Sequence, residues 1–121
     1  MVARSAGAGQ STVEFALVLP LFFALLALLL QVALVARDEV VVVHAARAAV
    51  REASVTADAA RIEGAATRSL PGAHARVARR GSIGQPVEVD VVYVAKTDLP
   101  LVGALLPDLT LRASAVMSVE K

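Results

Sequence analysis

The sequence predicts an α+β chain, in which a long N-terminal transmembrane helix extends into a small domain with an antiparallel sheet of about three strands. Three observations predict it. Residues 15–36 carry no formal charge and consist almost entirely of Leu, Phe, Ala and Val. Beyond them, small and apolar residues recur at three- and four-residue steps, the period of a helix. Towards the end of the chain the pattern changes to strict alternation of apolar and polar residues, the period of a strand.

The apolar run of about 22 residues reaches roughly 33 Å at helical rise, enough to cross a hydrocarbon core of about 30 Å. Pro20 falls near its start and Gln31 near its end. It is longer than the roughly 7–15 apolar residues of a removable secretory signal, and its N-terminal flank carries only Arg4 and the α-amino group. The nearest small-x-small candidate, Ala46-Arg47-Ala48, lies inside the following helical pattern. The run is therefore read as a retained single-pass anchor in the cytoplasmic membrane. Arg4 on one flank and the slightly acidic Arg37-Asp38-Glu39 on the other orient the N-terminus inside and the C-terminal domain outside.

Composition narrows the function classes. A chain of 121 residues has room for one small domain beside the span. Its 57% hydrophobic content and mean hydropathy of +0.67 are high for a soluble domain, yet aromatics make up only 3%. The apolar residues are thus mostly Ala, Val and Leu in helix, not a dense aromatic core. A net charge of +1 gives no electrostatic case for nucleic acid or an acidic substrate. Without Cys there are no disulfides, thiolate metal sites or thiol nucleophiles.

After the span, Val43, Ala46, Val50, Ala53, Ala57, Ala60 and Gly64 fall on one helical stripe. Arg47, Arg51, Glu52, Asp58, Arg61 and Glu63 lie mainly off it. No Gly or Pro interrupts residues 37–63, so one helix is expected to continue out of the membrane for several turns. Its small-residue stripe lies on the chain's own domain or meets a partner helix. Pro71-Gly72 then ends the helical region. Residues 75–80 form a hairpin, through a turn at 81–86, with a strand from Val87 whose Glu88 and Asp90 face outward and which continues past Tyr93. The last strand sets Leu109, Leu111, Ala113, Ala115, Met117 and Val119 on one face. The Ala/Val stripe is the expected cover for this sheet. Residues 99–107, apolar and bounded by Pro100 and Pro107, read as a loop or a single helical turn. That segment is either tucked under the sheet or exposed as a contact surface, the membrane interface included.

Catalytic chemistry finds no support. His44 and His74 belong to different segments, and no metal-binding, phosphate-cradling or nucleophile motif occurs. Glu88 and Asp90 are two acids on the outer face of a strand, which is the usual form of a solvated face. The chain is expected to be no enzyme and to take no cofactor, metal or small-molecule substrate.

The stretch Gly9-Gln10-Ser11-Thr12-Val13-Glu14-Phe15 sits directly against the apolar run. One reading of it is a capping box, with Ser11 capping the helix and Glu14 reaching back to the Ser11 backbone N–H. There the acid also benefits from the positive end of the helix dipole, by about 0.3–1 kcal/mol. That reading explains Ser11 and Glu14 but neither Gly9 nor an acid placed flush against the span. Gly-x-x-x-x-Glu-Phe before a long apolar helix resembles the processing site of type IV-like prepilins. More narrowly, residues 9–20 resemble the opening of the TadE-like pseudopilins of the tight-adherence (Flp-type) pilus system. Ala45-Ala46-Arg47-Ala48-Ala49-Val50-Arg51-Glu52-Ala53 is similar to that family's Ala- and Arg-rich stretch beyond the membrane.

The resemblance implies cleavage between Gly9 and Gln10 by a membrane prepilin peptidase, with Glu14 as the fifth and Phe15 as the sixth mature residue. It further implies that Glu14 neutralises the freed α-amino group of a neighbouring subunit during assembly. Its partners would be the peptidase, other pilins and pseudopilins, the assembly machinery and membrane lipid. The expected organisation is a leader at 1–9, the mature N-terminus and pilin motif at 10–14, the span at 15–36, an extracytoplasmic helical segment at 37–70 and a β domain at 71–121. Two functional classes follow: a processed minor pilin, or an unprocessed single-pass envelope protein whose small domain is an interaction module.

Overall fold

The computed structural model describes residues 6–96, 104 and 107–120. A 50-residue helix, α1 (Ala6–Val55), runs through the apolar segment and on into the domain. At helical rise it is about 75 Å long. Pro20 lies inside it, where the missing N–H removes one backbone hydrogen bond from the span. A short helix, α2 (Ala59–Ser69), follows, and then strands β1 (His74–Arg80), β2 (Pro86–Ala95) and β3 (Leu109–Ser118). The three strands form one antiparallel sheet in the order β1-β2-β3. The fold class is the α+β arrangement expected of the sequence.

The expected helix through residue 63 is interrupted. α1 ends at Val55 and α2 starts at Ala59, although no Gly or Pro separates them. Two side chains make the break. Asp58 is the N-cap of α2, its Oδ1 accepting from the Ala60 N–H at 3.0 Å, while its own N–H donates to Thr56 Oγ1 at 3.2 Å. Arg80, at the end of β1, donates from Nη1 to the carbonyls of Ala53 and Thr56, both at 2.6 Å. A carbonyl in the last turn of α1 and the one just past its end thus find a charged donor from a distant strand in place of another helical turn.

The core faces follow from periodicity. α1 buries Val42, Ala45, Ala46, Ala49, Val50 and Ala53, and α2 buries Ile62, Ala65 and Ala66. Against them lie Val87, Val89 and Val91 of β2, with Leu111 from β3. Of the stripe expected from sequence, Ala46, Val50 and Ala53 are buried, whereas Val43, Ala57 and Ala60 are exposed and Gly64 is half-buried. The break at residues 56–58 resets the helical phase, so the stripe cannot run on across it. Alanine at the α1 positions lets helix and sheet approach closely.

β2 is the central strand and alternates cleanly, its Glu88 and Asp90 on the side away from the helices. β3 is an edge strand. Leu111 is buried and Ala113 and Ala115 are half-buried, whereas Leu109 and Met117 on the same face are exposed. The β1–β2 turn is closed by Gly81 N–H to the Pro86 carbonyl at 3.0 Å, with Gly84 at φ +83°. At the same end Glu120 N–H donates to the Ser54 carbonyl at 2.8 Å, pinning the C-terminal segment to the end of α1. The opposite end of the sheet, formed by Tyr93, Ala95 and Leu109, lies beside α1 where it emerges from the apolar run.

Candidate functional site

Residues 9–15 lie on a continuous helix that begins by Ala6, three residues before Gly9. The expected capping box is therefore not formed. Ser11 is interior to α1, where its backbone is already helical, and the first turn contains no acid. Glu14 instead accepts from the Gln10 side chain, Nε2 to Oε1 at 3.2 Å, an i to i+4 pair on an exposed face. The five residues preceding α1 belong to the expected leader and lie outside the described residues.

Gly9 occupies open space, for a Cβ built on it would meet nothing within 4 Å. Helix packing gives no reason for a glycine here, and glycine costs roughly 1 kcal/mol relative to alanine in a helix interior. Its local effect is to make the backbone around the Gly9–Gln10 peptide bond easier to unwind. Phe15 is exposed one residue beyond Glu14, and the side chains that follow are also uncovered: Leu17, Leu21, Phe22, Phe23, Leu25 and Leu26. Among the described residues one helix is long and apolar enough to cross a membrane, and it is this one.

Residues 9–51 match the family model of TadE-like proteins. The match opens on Gly9, includes Glu14 and Phe15, and closes at Arg51, about one turn before the end of α1. α2 and the sheet lie beyond it. No curated protein and no solved structure matches the chain. The TadE-like segment is thus almost coextensive with the rod: the motif at its mouth, the span, and the Ala/Val face that holds the domain.

The structure keeps Gly9, Gln10, Glu14 and Phe15 within two helical turns but surrounds none of them with other elements. The site is a linear motif on an accessible helix, not a pocket. Among the described residues no group of His, Asp and Glu is arranged to hold a metal ion. His44 is exposed on α1, and His74 Nδ1 lies 3.0 Å from Glu63 Oε1 at the surface between β1 and α2. One residue took a role that sequence reading did not assign. Gln31, a polar residue late in the span, is only 8% exposed and turned towards the sheet end. Its place on the same helical face as Val35 and Val42, at steps of four and seven, was the available signal.

Proposed function

We propose that the chain is a TadE-like minor pilin or pseudopilin, a non-enzymatic subunit that takes part in assembly of a tight-adherence (Flp-type) pilus. A prepilin peptidase cuts between Gly9 and Gln10, and the product is held in the cytoplasmic membrane by residues 15–36 with its domain on the extracytoplasmic side. The observation that carries this reading is Gly9 followed by Glu14-Phe15 at the mouth of the span, where packing calls for neither the glycine nor the acid. The family match beginning at Gly9 supports it.

Cleavage changes the physics of the motif. The freed α-amino group of Gln10 becomes the start of the helix, and Glu14 moves from mid-helix to within about one turn of the positive end of the dipole. When the span leaves lipid for a bundle of other pilins, a carboxylate there needs a cationic partner, and breaking a buried pair costs about 3–5 kcal/mol. The free amino group of a neighbour supplies that cation. The pairing forms only on assembly and so selects register.

A second reading, an unprocessed envelope anchor with an interaction domain, draws on one observation: the Gly9–Gln10 bond lies inside helix, which a peptidase has to unwind. The mature N-terminus separates the two. Co-expression with the cognate prepilin peptidase is expected to yield a chain whose intact mass begins at Gln10. Protein from the native host that still carries Met1 would sink the pilin reading. Glu14→Ala is expected to be cut normally but to assemble poorly, and normal piliation in that variant would remove the charge-pair account.

A further inference from the structure

The domain reaches further down α1 than a span of residues 15–36 leaves room for. Leu28, Val32, Val35 and Ala36 of α1 form an apolar groove of about 590 Å³ with Pro107 and Leu109 of the sheet end. Gln31 and Val35, which also line that groove, border a second one with Pro71, Tyr93, Val94 and Lys96. Both grooves therefore overlap the last third of the uncharged run. If the domain stood clear of the bilayer, the span would have to end near Leu28. A hydrocarbon core needs about 20 helical residues, so the other end of such a span would fall near Gly9 and carry Glu14 several ångströms into hydrocarbon. An isolated carboxylate at that depth is expensive, and the Gln10 side chain that pairs with Glu14 is neutral and brings no compensating charge.

Counting from the other direction removes the conflict. A span that starts at Phe15, with Glu14 at the interface, reaches its full length of about 20 residues near Leu34. The headgroup zone on the far side, about 5–7 Å thick, then covers α1 from Val35 to roughly Glu39. This is the level of the sheet end. The side chains there suit an interface: Val94 is 45% exposed and Leu109 47% exposed, on opposite faces of the sheet. Tyr93, the chain's single tyrosine, and Lys96, one of its two lysines, stand beside them. A tyrosine and a lysine next to apolar side chains are the residue types that membrane interfaces enrich.

We propose that the sheet end carrying Tyr93, Val94, Lys96 and Leu109 is seated in the lipid headgroup layer of the same bilayer that α1 crosses. Lipid occupies the groove along Leu28, Val32 and Val35, and the Lys96 ammonium reaches headgroup phosphate. The domain is thus held against the membrane at two places, which restricts its tilt before any assembly partner binds. The proposal rests on α1 spanning the bilayer and not on cleavage at Gly9.

Because the sequence contains no Cys, single cysteines can be placed and labelled without background. The full chain, reconstituted into phosphatidylcholine–phosphatidylglycerol vesicles, would carry an environment-sensitive fluorophore at Val94→Cys or Leu109→Cys. Ile83→Cys, in the exposed turn at the far end of the sheet, is the control for water, and Leu25→Cys the control for hydrocarbon. Replacing the phosphatidylcholine with its acyl-chain-brominated form is expected to remove about half of the emission at positions 94 and 109 and almost none at 83, as for side chains about 5–10 Å into the headgroup–acyl boundary. Quenching at 94 and 109 no stronger than at 83, with position 25 quenched, would overturn the seating while leaving the span intact. Loss of quenching at position 25 as well would overturn the span and the seating together.

Discussion

A methyl group added at Gly9 meets no atom within 4 Å, and alanine is favoured over glycine in a helix by about 1 kcal/mol. Stability and processing should therefore respond in opposite directions to Gly9→Ala. The helix start gains, to be read as slower amide exchange over residues 9–12, while cleavage by the peptidase falls sharply. A variant that is cut as fast as the parent would show that the glycine is not read by the enzyme. Arg80 presents the reverse case, a residue whose whole role is structural. Its guanidinium donates to two carbonyls at the end of α1, and hydrogen bonds from charged donors are worth about 1.5–3 kcal/mol. Arg80→Met should lower the stability of the domain by roughly 2 kcal/mol, measured by denaturant unfolding in detergent. An unchanged midpoint would mean that water satisfies those carbonyls as well as the arginine does.

At the scale of elements, α1 is one rod that performs two tasks with two kinds of side chain. Its lower part is bulky and uncovered, and its upper part presents alanines to the sheet. Ala49 is completely buried, and Ala45 and Ala53 one turn away are buried too, so the helix backbone stands close to β2. Ala49→Leu should cost about 1–3 kcal/mol through overpacking, whereas Ala60→Leu on the exposed side of α2 should be near neutral. Chemical unfolding of the two variants checks the difference, and equal effects would argue against close helix–sheet contact. The strands were legible because each buries one face, which imposes alternation on the sequence, and the register follows as β2 with Val87, Val89 and Val91 inward. The long helix was legible for the analogous reason. The break at residues 56–58 was not, because its makers look ordinary. Asp58 reads as a surface acid in a helical pattern, and Arg80 lies 24 residues away from the Thr56 carbonyl it binds. At residues 9–15 the capping-box reading failed, since the helix begins upstream of them and Ser11 lies in its interior.

For the whole molecule, the core and the span divide the rod at a definite level. Among the described residues of α1, every buried one apart from Gln31 lies at or after Val42. The domain core should therefore need α1 chiefly from about the membrane exit onward, with Val35 as the main contact below it. A chain of residues 37–121 retains Val42, Ala45 and Ala46 and is expected to unfold cooperatively in water, seen as coincident loss of far-UV ellipticity and of Tyr93 fluorescence. A chain of residues 48–121 loses those three side chains, whose burial is worth roughly 3–5 kcal/mol by area, and bares the inward valines of β2. Set against a total stability of about 5–15 kcal/mol for a native domain, that loss leaves little margin, and the shorter chain should show no cooperative transition. Equal cooperativity in both would place the core in α2 and the sheet alone. Failure of the longer chain, with recovery on restoring residues 28–36, would instead show that the contacts of the sheet end with the span contribute to folding, and that membrane insertion and domain folding are one process.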